Sequence, residues 1–156
     1  YKLPPIDGLK AFGRVYAGWA FSQTFYREKL YKDIGYNNIE DLLLDWEKDH
    51  IKNWDANNLL AKLNTWQTND ISIGPIYNNN YINALKSIKA KTIIIACSED
   101  LYFKYEDNLK ESKYIKDSKL KLFHSPYGHC VANPGNEPKF EKELDNNIYE
   151  LLNIEI

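Results

Sequence analysis

Over the first ninety positions the apolar residues recur at intervals of three and four, the spacing of one face of a helix. The series Leu9, Phe12, Tyr16 and Trp19 predicts a first amphipathic helix, and Pro4 and Pro5 exclude an earlier start. Residues 23–32 predict a second helix, with Gly35 placed as the left-handed residue that ends it. Asn38 opens a third, its side chain ready to accept from the first free N–H groups, while Glu40 and Asp41 put negative charge at the positive end of the helix. That helix carries Leu42, Leu43 and Trp46 and reaches Lys52. Asp55 caps a fourth, which carries Leu59, Leu60, Leu63 and Trp66. The run Asn78, Asn79 and Asn80 leads into a short fifth containing Leu85 and Ile88.

Beyond Lys91 the pattern changes. Thr92–Cys97 is short, β-branched and apolar on both faces, as expected of a strand buried on both sides of a parallel sheet. Residues 105–114 predict a helix, and residues 119–124 then alternate, with Leu120, Leu122 and His124 on one face and Lys119, Lys121 and Phe123 on the other. After a loop rich in Pro, Gly and Asn, the positions Phe140, Leu144, Ile148, Leu151 and Leu152 mark a terminal helix. The order is a helical block followed by β-α-β-α. The right-handed crossover rule makes the two strands parallel neighbours, which gives an α/β fold. Two such strands need a larger sheet, so the expectation is the C-terminal part of a larger α/β domain, helical over 1–90 and β-α-β-α over 91–156, with an N-terminal core outside this sequence.

The 156 residues contain 20 Lys and Arg against 22 Asp and Glu, a formal net charge of −2, with no block of like charge. No electrostatic footprint marks a nucleic-acid or anionic-membrane partner. No apolar run is long enough for a membrane span and no signal-peptide layout opens the chain, so a cytoplasmic location is the default expectation. Cys97 and Cys130 read as reduced thiols in that compartment. The sequence contains no methionine, which predicts that something upstream was removed or lies outside it. No Cys-x-x-Cys or His-x-x-x-His spacing offers a metal site, and no Gly-rich loop offers a phosphate cradle, so neither metal nor bound cofactor is expected.

In an open parallel sheet, catalytic groups gather at the carboxyl ends of the strands. Asp100 follows the first strand, in Cys97-Ser98-Glu99-Asp100-Leu101-Tyr102-Phe103, and His129 follows the second, in Ser125-Pro126-Tyr127-Gly128-His129-Cys130. Acid then histidine, after consecutive strands, is the order of the last two members of a Ser, Asp, His triad on a hydrolase sheet. The chemistry needs this pair because a neutral imidazole must take the nucleophile's proton while a carboxylate fixes its tautomer and stabilises the imidazolium. Gly128 lets the chain turn tightly beside the histidine. His50, at a helix end, and His124, in a strand, are read as structural.

Asp55-Ala56-Asn57-Asn58 opening a helix, Ser98-Glu99-Asp100-Leu101-Tyr102-Phe103 after a strand, and Tyr127-Gly128-His129 before a last helix resemble the C-terminal half of the homoserine O-acetyltransferase-like branch of the α/β-hydrolase superfamily. The resemblance implies a helical cap inserted before the last two strands, and catalytic roles for Asp100 and His129. It implies a serine nucleophile on a Gly-x-Ser-x-Gly-like elbow, yet none of Ser22, Ser72, Ser87, Ser98, Ser112, Ser118 and Ser125 is flanked by glycines at that spacing. In the acetyltransferases an acid follows the triad histidine and resembles a partner for the substrate's amino group; here Cys130 stands there, which disfavours homoserine as acceptor.

The expected function is therefore acyl transfer or ester hydrolysis, with this chain supplying acid and base and Cys130 lying where a substrate contact is implied. The expected partners are an acyl donor, for which acetyl-CoA is one option, an acyl acceptor, and the N-terminal half of the same protein or another copy, a homodimer included. The alternative is a non-catalytic or truncated relative that acts as a binding module. Cys97 or Cys130 as nucleophile is disfavoured, because adjacent loop side chains such as those of His129 and Cys130 diverge.

Overall fold

The computed structural model describes residues 1–153 and divides into two compact units, Tyr1–Asn69 and the chain from Asp70 onward. Residues 154–156 of the predicted 91–156 segment lie outside the described residues.

The first unit is helical. Helix α1 is Ile6–Ala20, beginning before the periodic residue Leu9 because Pro5 contributes its carbonyl to Leu9 N–H at 2.9 Å. Helix α2 is Gln23–Arg27, α3 is Ile39–Asn53 and α4 is Ala56–Thr68. The asparagine and aspartate caps are as predicted: Asn38 accepts from Asp41 N–H at 3.0 Å and Asp55 accepts from Asn58 N–H at 2.9 Å.

Two expectations are corrected here. The buried stripe of α1 is Leu9, Gly13, Ala17 and Ala20, and Trp19 is 53% exposed. Small residues at four-residue spacing let α1 approach α3 closely, and the aromatic stripe flanks the contact instead of filling it. Arg14 straps the same pair of helices, reaching Glu40 at 2.6 and 3.1 Å and Glu47 at 2.5 Å. The predicted 23–32 helix breaks after Arg27: Lys29 is left-handed (φ 58°) and a 3-10 turn follows at Leu30–Lys32. Phe25 and Tyr31 are both buried, and six residues along a straight helix would point them about 120° apart. The break turns both inward. Gly35, at φ 96°, ends the segment as expected, and the next N–H, of Tyr36, returns to the Tyr31 carbonyl at 3.0 Å.

The second unit opens with α5, Tyr81–Lys86, capped by Asn80. Strand β1, Thr92–Cys97, and strand β2, Ser118–Phe123, flank α6, Tyr105–Ser112, and α7 is Pro138–Leu152. The strands pair in parallel, from Thr92 opposite Ser118 to Cys97 opposite Phe123. Among the described residues β1 has no other strand neighbour. Its full burial is also corrected: Ala96 and Cys97 are buried, while Ile93, Ile94 and Ile95 stay half-buried, the apolar surface that a larger sheet would cover.

On β2 no residue is fully buried, and the face that meets α7 is the one carrying the lysines. Leu122 is 38% exposed, whereas Lys121 reaches Asn147 and Glu150 on α7, Lys119 reaches Glu150 at 2.8 Å, and the Phe123 ring meets Phe140 at 5.1 Å. Lysine stems cover apolar surface while their ammonium groups find acceptors, which the alternation of residue types does not reveal. Among the described residues no helix is long and apolar enough to cross a membrane.

The close approach of α1 and α3 sets a test. A methyl group on Gly13 would lie 2.8 Å from the Trp46 carbonyl oxygen and 2.9 Å from His50 Nδ1, while one on Gly18 would meet nothing within 4 Å. Gly13→Ala is expected to destabilise by roughly 1–3 kcal/mol through overpacking. Gly18→Ala is expected to stabilise by roughly 0.5–1 kcal/mol through helix propensity. Urea unfolding of both variants measures the pair, and stabilisation by Gly13→Ala would refute the close-packed seam.

Candidate active site

Asp100 lies just past β1. A turn brings its N–H to the Cys97 carbonyl at 3.3 Å, and its Oδ1 accepts from the backbone N–H groups of Tyr102 at 2.6 Å and Phe103 at 3.0 Å. Its second oxygen, Oδ2, stands 3.0 Å from Nδ1 of His129. Burial works to raise the pKa of Asp100, but the hydrogen bonds from His129, Phe103 and Tyr102, with the charge of His129 added, outweigh it and hold the carboxyl below its ordinary value. An ionised carboxylate can only accept, so Nδ1 carries the proton and donates it. In the neutral form of the ring Nε2 then holds the lone pair, and it has no hydrogen-bond partner among the described residues. This is the tautomer that a general base requires.

The histidine is carried on a 3-10 helix, Gly128–Ala132, where a plain loop was expected. Gly128 enters it at φ 58°, a left-handed conformation that glycine adopts without strain. The approach is fixed by Ser125, which is buried. Its hydroxyl accepts from Tyr127 N–H at 3.2 Å and donates to Glu137 at 3.3 Å. The Ser125 carbonyl accepts from Gly128 N–H at 3.4 Å and from the Cys97 thiol at 3.4 Å. The last of these ties the strand that leads to Asp100 to the segment that leads to His129. Asn136 donates to the Cys130 carbonyl at 3.0 Å and secures the far side.

Around the pair is a cleft of about 250 Å³ whose other walls include Ile95, Phe103, Asn108, Val131 and Phe140. Among the described residues that line it, Asp100 is the only acid and there is no Lys or Arg.

Both predicted site residues, Asp100 and His129, thus meet in one cleft. Cys130 does not line it. The thiol is buried, 4% exposed, and burial first, then the charge of Asp100, pushes its pKa up to about 12. Cys97 does line the cleft, but burial raises its pKa also. Neither supplies a thiolate at neutral pH. His50 is 2% exposed between Trp46 and Trp54, its Nδ1 2.8 Å from the Trp46 carbonyl, and His124 lies just beyond β2, exposed. Among the described residues no group of three or more His, Cys, Asp and Glu is arranged to hold a metal ion.

Sequence reasoning gave no part to Ser125 or to the rings of Tyr102 and Phe103, whose centroids stand 4.8 and 5.3 Å from that of His129. The aromatic pair two and three residues after Asp100 was the available signal.

No family model matches the chain. It is similar to an ethyl acetate hydrolase of Pseudomonas veronii, 29% identical over 93% of this chain and 41% of that protein. The solved structure of an acetylester hydrolase from Corynebacterium glutamicum superimposes with a TM-score of 0.85 at 27% identity, over 94% of this chain and 41% of the other. The protein has part of an α/β-hydrolase fold. A homoserine O-acetyltransferase of Ascobolus immersus is 33% identical over 51% of this chain and 15% of its own length. The α/β-hydrolase relatives are thus esterases and homoserine O-acetyltransferases, and the chain spans about two fifths of the length of the esterases.

Two outcomes test the site. Because the folded pKa of Asp100 lies below its unfolded value, ionisation stabilises the fold above about pH 4, and that stability is lost as the pH falls through the folded value. The stability gap between wild type and Asp100→Asn is therefore expected to be constant above about pH 5 and to shrink below about pH 4, read by unfolding from pH 2 to 7. Equal slopes for the two proteins would rule out a depressed carboxyl. For Cys130, iodoacetamide labelling of the native protein at pH 7 is expected to be slower than that of free cysteine, with mass spectrometry locating the adduct.

Proposed function

We propose that the protein acts in acyl transfer from small neutral esters, with Asp100 and His129 as acid and base of a triad and water or a neutral alcohol as acceptor. The observation that carries this reading is the 3.0 Å contact between Asp100 Oδ2 and His129 Nδ1, in a cleft at the carboxyl ends of consecutive parallel strands. The ethyl acetate hydrolase and acetylester hydrolase relatives support the same chemistry.

A hydroxyl nucleophile gives its proton to His129 Nε2 as its oxygen attacks the ester carbonyl carbon. The tetrahedral intermediate collapses, the C–O bond to the alcohol breaks, and Nε2 returns the proton to the departing alkoxide. Water or an alcohol repeats the sequence on the acyl-enzyme and releases acid or new ester. Asp100 stays ionised throughout and holds the imidazolium.

The nucleophile belongs, in this reading, to a partner segment corresponding to the part of the relatives' length that this chain does not span, on the same protein or on another copy. Residues 1–90 act as the cap and 91–156 as the end of the core. The neutral ester and neutral acceptor follow the ethyl acetate hydrolase and acetylester hydrolase relatives.

Hydrolysis of ethyl acetate or p-nitrophenyl acetate by the protein carrying its nucleophile segment is the test. His129→Ala is expected to lower kcat by at least about 1,000-fold and Asp100→Asn by about 100- to 10,000-fold, with folding intact. Acetyl transfer to homoserine is expected to be slower than ester hydrolysis by orders of magnitude. Full activity in His129→Ala would end the triad reading, and efficient transfer to homoserine would end the neutral-acceptor reading.

A further inference from the structure

We propose that Tyr102 is a positioning residue for His129, one that holds the imidazole against Asp100 and stabilises the imidazolium; the proposal rests on the acyl-transfer reading above. Tyr102 grips both members of the pair. Its backbone N–H donates to Asp100 Oδ1 at 2.6 Å, and its ring stacks on the His129 ring with centroids 4.8 Å apart and planes at 27°. Phe103 repeats the arrangement more loosely, its N–H on the same oxygen at 3.0 Å and its ring 5.3 Å from the imidazole at 56°.

The geometry has two consequences. With a ring stacked on it and Nδ1 bonded to Asp100, the imidazole resists rotation about its bond to Cβ, so Nε2 keeps one direction. When Nε2 takes a proton, the positive charge forms over the electron-rich face of the Tyr102 ring, which attracts a cation. A neutral imidazole gains little from that attraction. The ring therefore favours the charged state that accompanies bond making, which raises kcat and leaves substrate binding alone.

The test varies the charge on the ring face at constant shape. Tyr102 is replaced in the intact protein by phenylalanine, by singly fluorinated phenylalanine and by fully fluorinated phenylalanine. Tyr102→Phe is expected to keep kcat within about twofold of wild type, and full fluorination to lower it about 10-fold with KM unchanged. A constant kcat across the series, or a change confined to KM, would overturn the proposal. A second readout needs no turnover: the Nδ1–H proton of His129, observed by NMR, is expected to persist in Tyr102→Phe and to be lost to solvent exchange in Tyr102→Leu. Its persistence in Tyr102→Leu would overturn the clamp. If the unsubstituted protein turns over no ester, the acyl-transfer reading fails and the resonance alone decides whether Tyr102 holds the histidine.

Discussion

Parallel pairing of β1 with β2 determines where Asp100 and His129 lie. With Cys97 level with Phe123, both strands end together, and the residues that follow them emerge at the same end of the sheet. The α6 crossover leaves β1 at this end, through the turn that carries Asp100, and returns the chain to the opposite end so that β2 runs parallel to β1. Asp100 and His129 need only short excursions to meet. A register shift of one residue would reverse the faces of β2 and draw the Ser125 segment away from Cys97.

What the pairing brings together, hydrogen bonds then hold. A nearly buried carboxylate is costly unless its oxygens are occupied. Asp100 meets this requirement by accepting two backbone N–H groups on one oxygen and the imidazole N–H on the other. The bonds that keep the acid ionised are thus the bonds that fix its orientation and the histidine's tautomer. Ser125 performs the matching task on the histidine side, satisfying its own buried hydroxyl and carbonyl with Tyr127, Glu137, Gly128 and Cys97. Charge state, geometry and local stability cannot be separated here.

The helical unit is held by a different constraint. Gly13 and Ala17 let α1 approach the backbone of α3, and aromatic rings stack around the seam, with Phe21 on Phe25 at 4.0 Å and His50 on Trp54 at 5.1 Å. His50 keeps its Nδ1 on the Trp46 carbonyl and belongs to this packing.

The sequence by itself determined the order of elements, the helix caps at Asn38 and Asp55, the span Thr92–Cys97, the parallel direction of the strands, and the position of Asp100 and His129 just past them. These depend on local chemistry: a side chain that can reach its own backbone, a β-branched run, an acid and a base placed just after strands. Tertiary structure alone decided which stripe of α1 is buried, since periodicity finds large apolar residues and not the small ones that permit close approach. It decided the break at Lys29, where Phe25 and Tyr31 both had to turn inward. It decided that the lysine face of β2 packs on α7, because Asn147 and Glu150 come from far along the chain. Burial took Cys130 away from the cleft, and stacking put Tyr102 on His129, because both depend on neighbours brought close only by the fold.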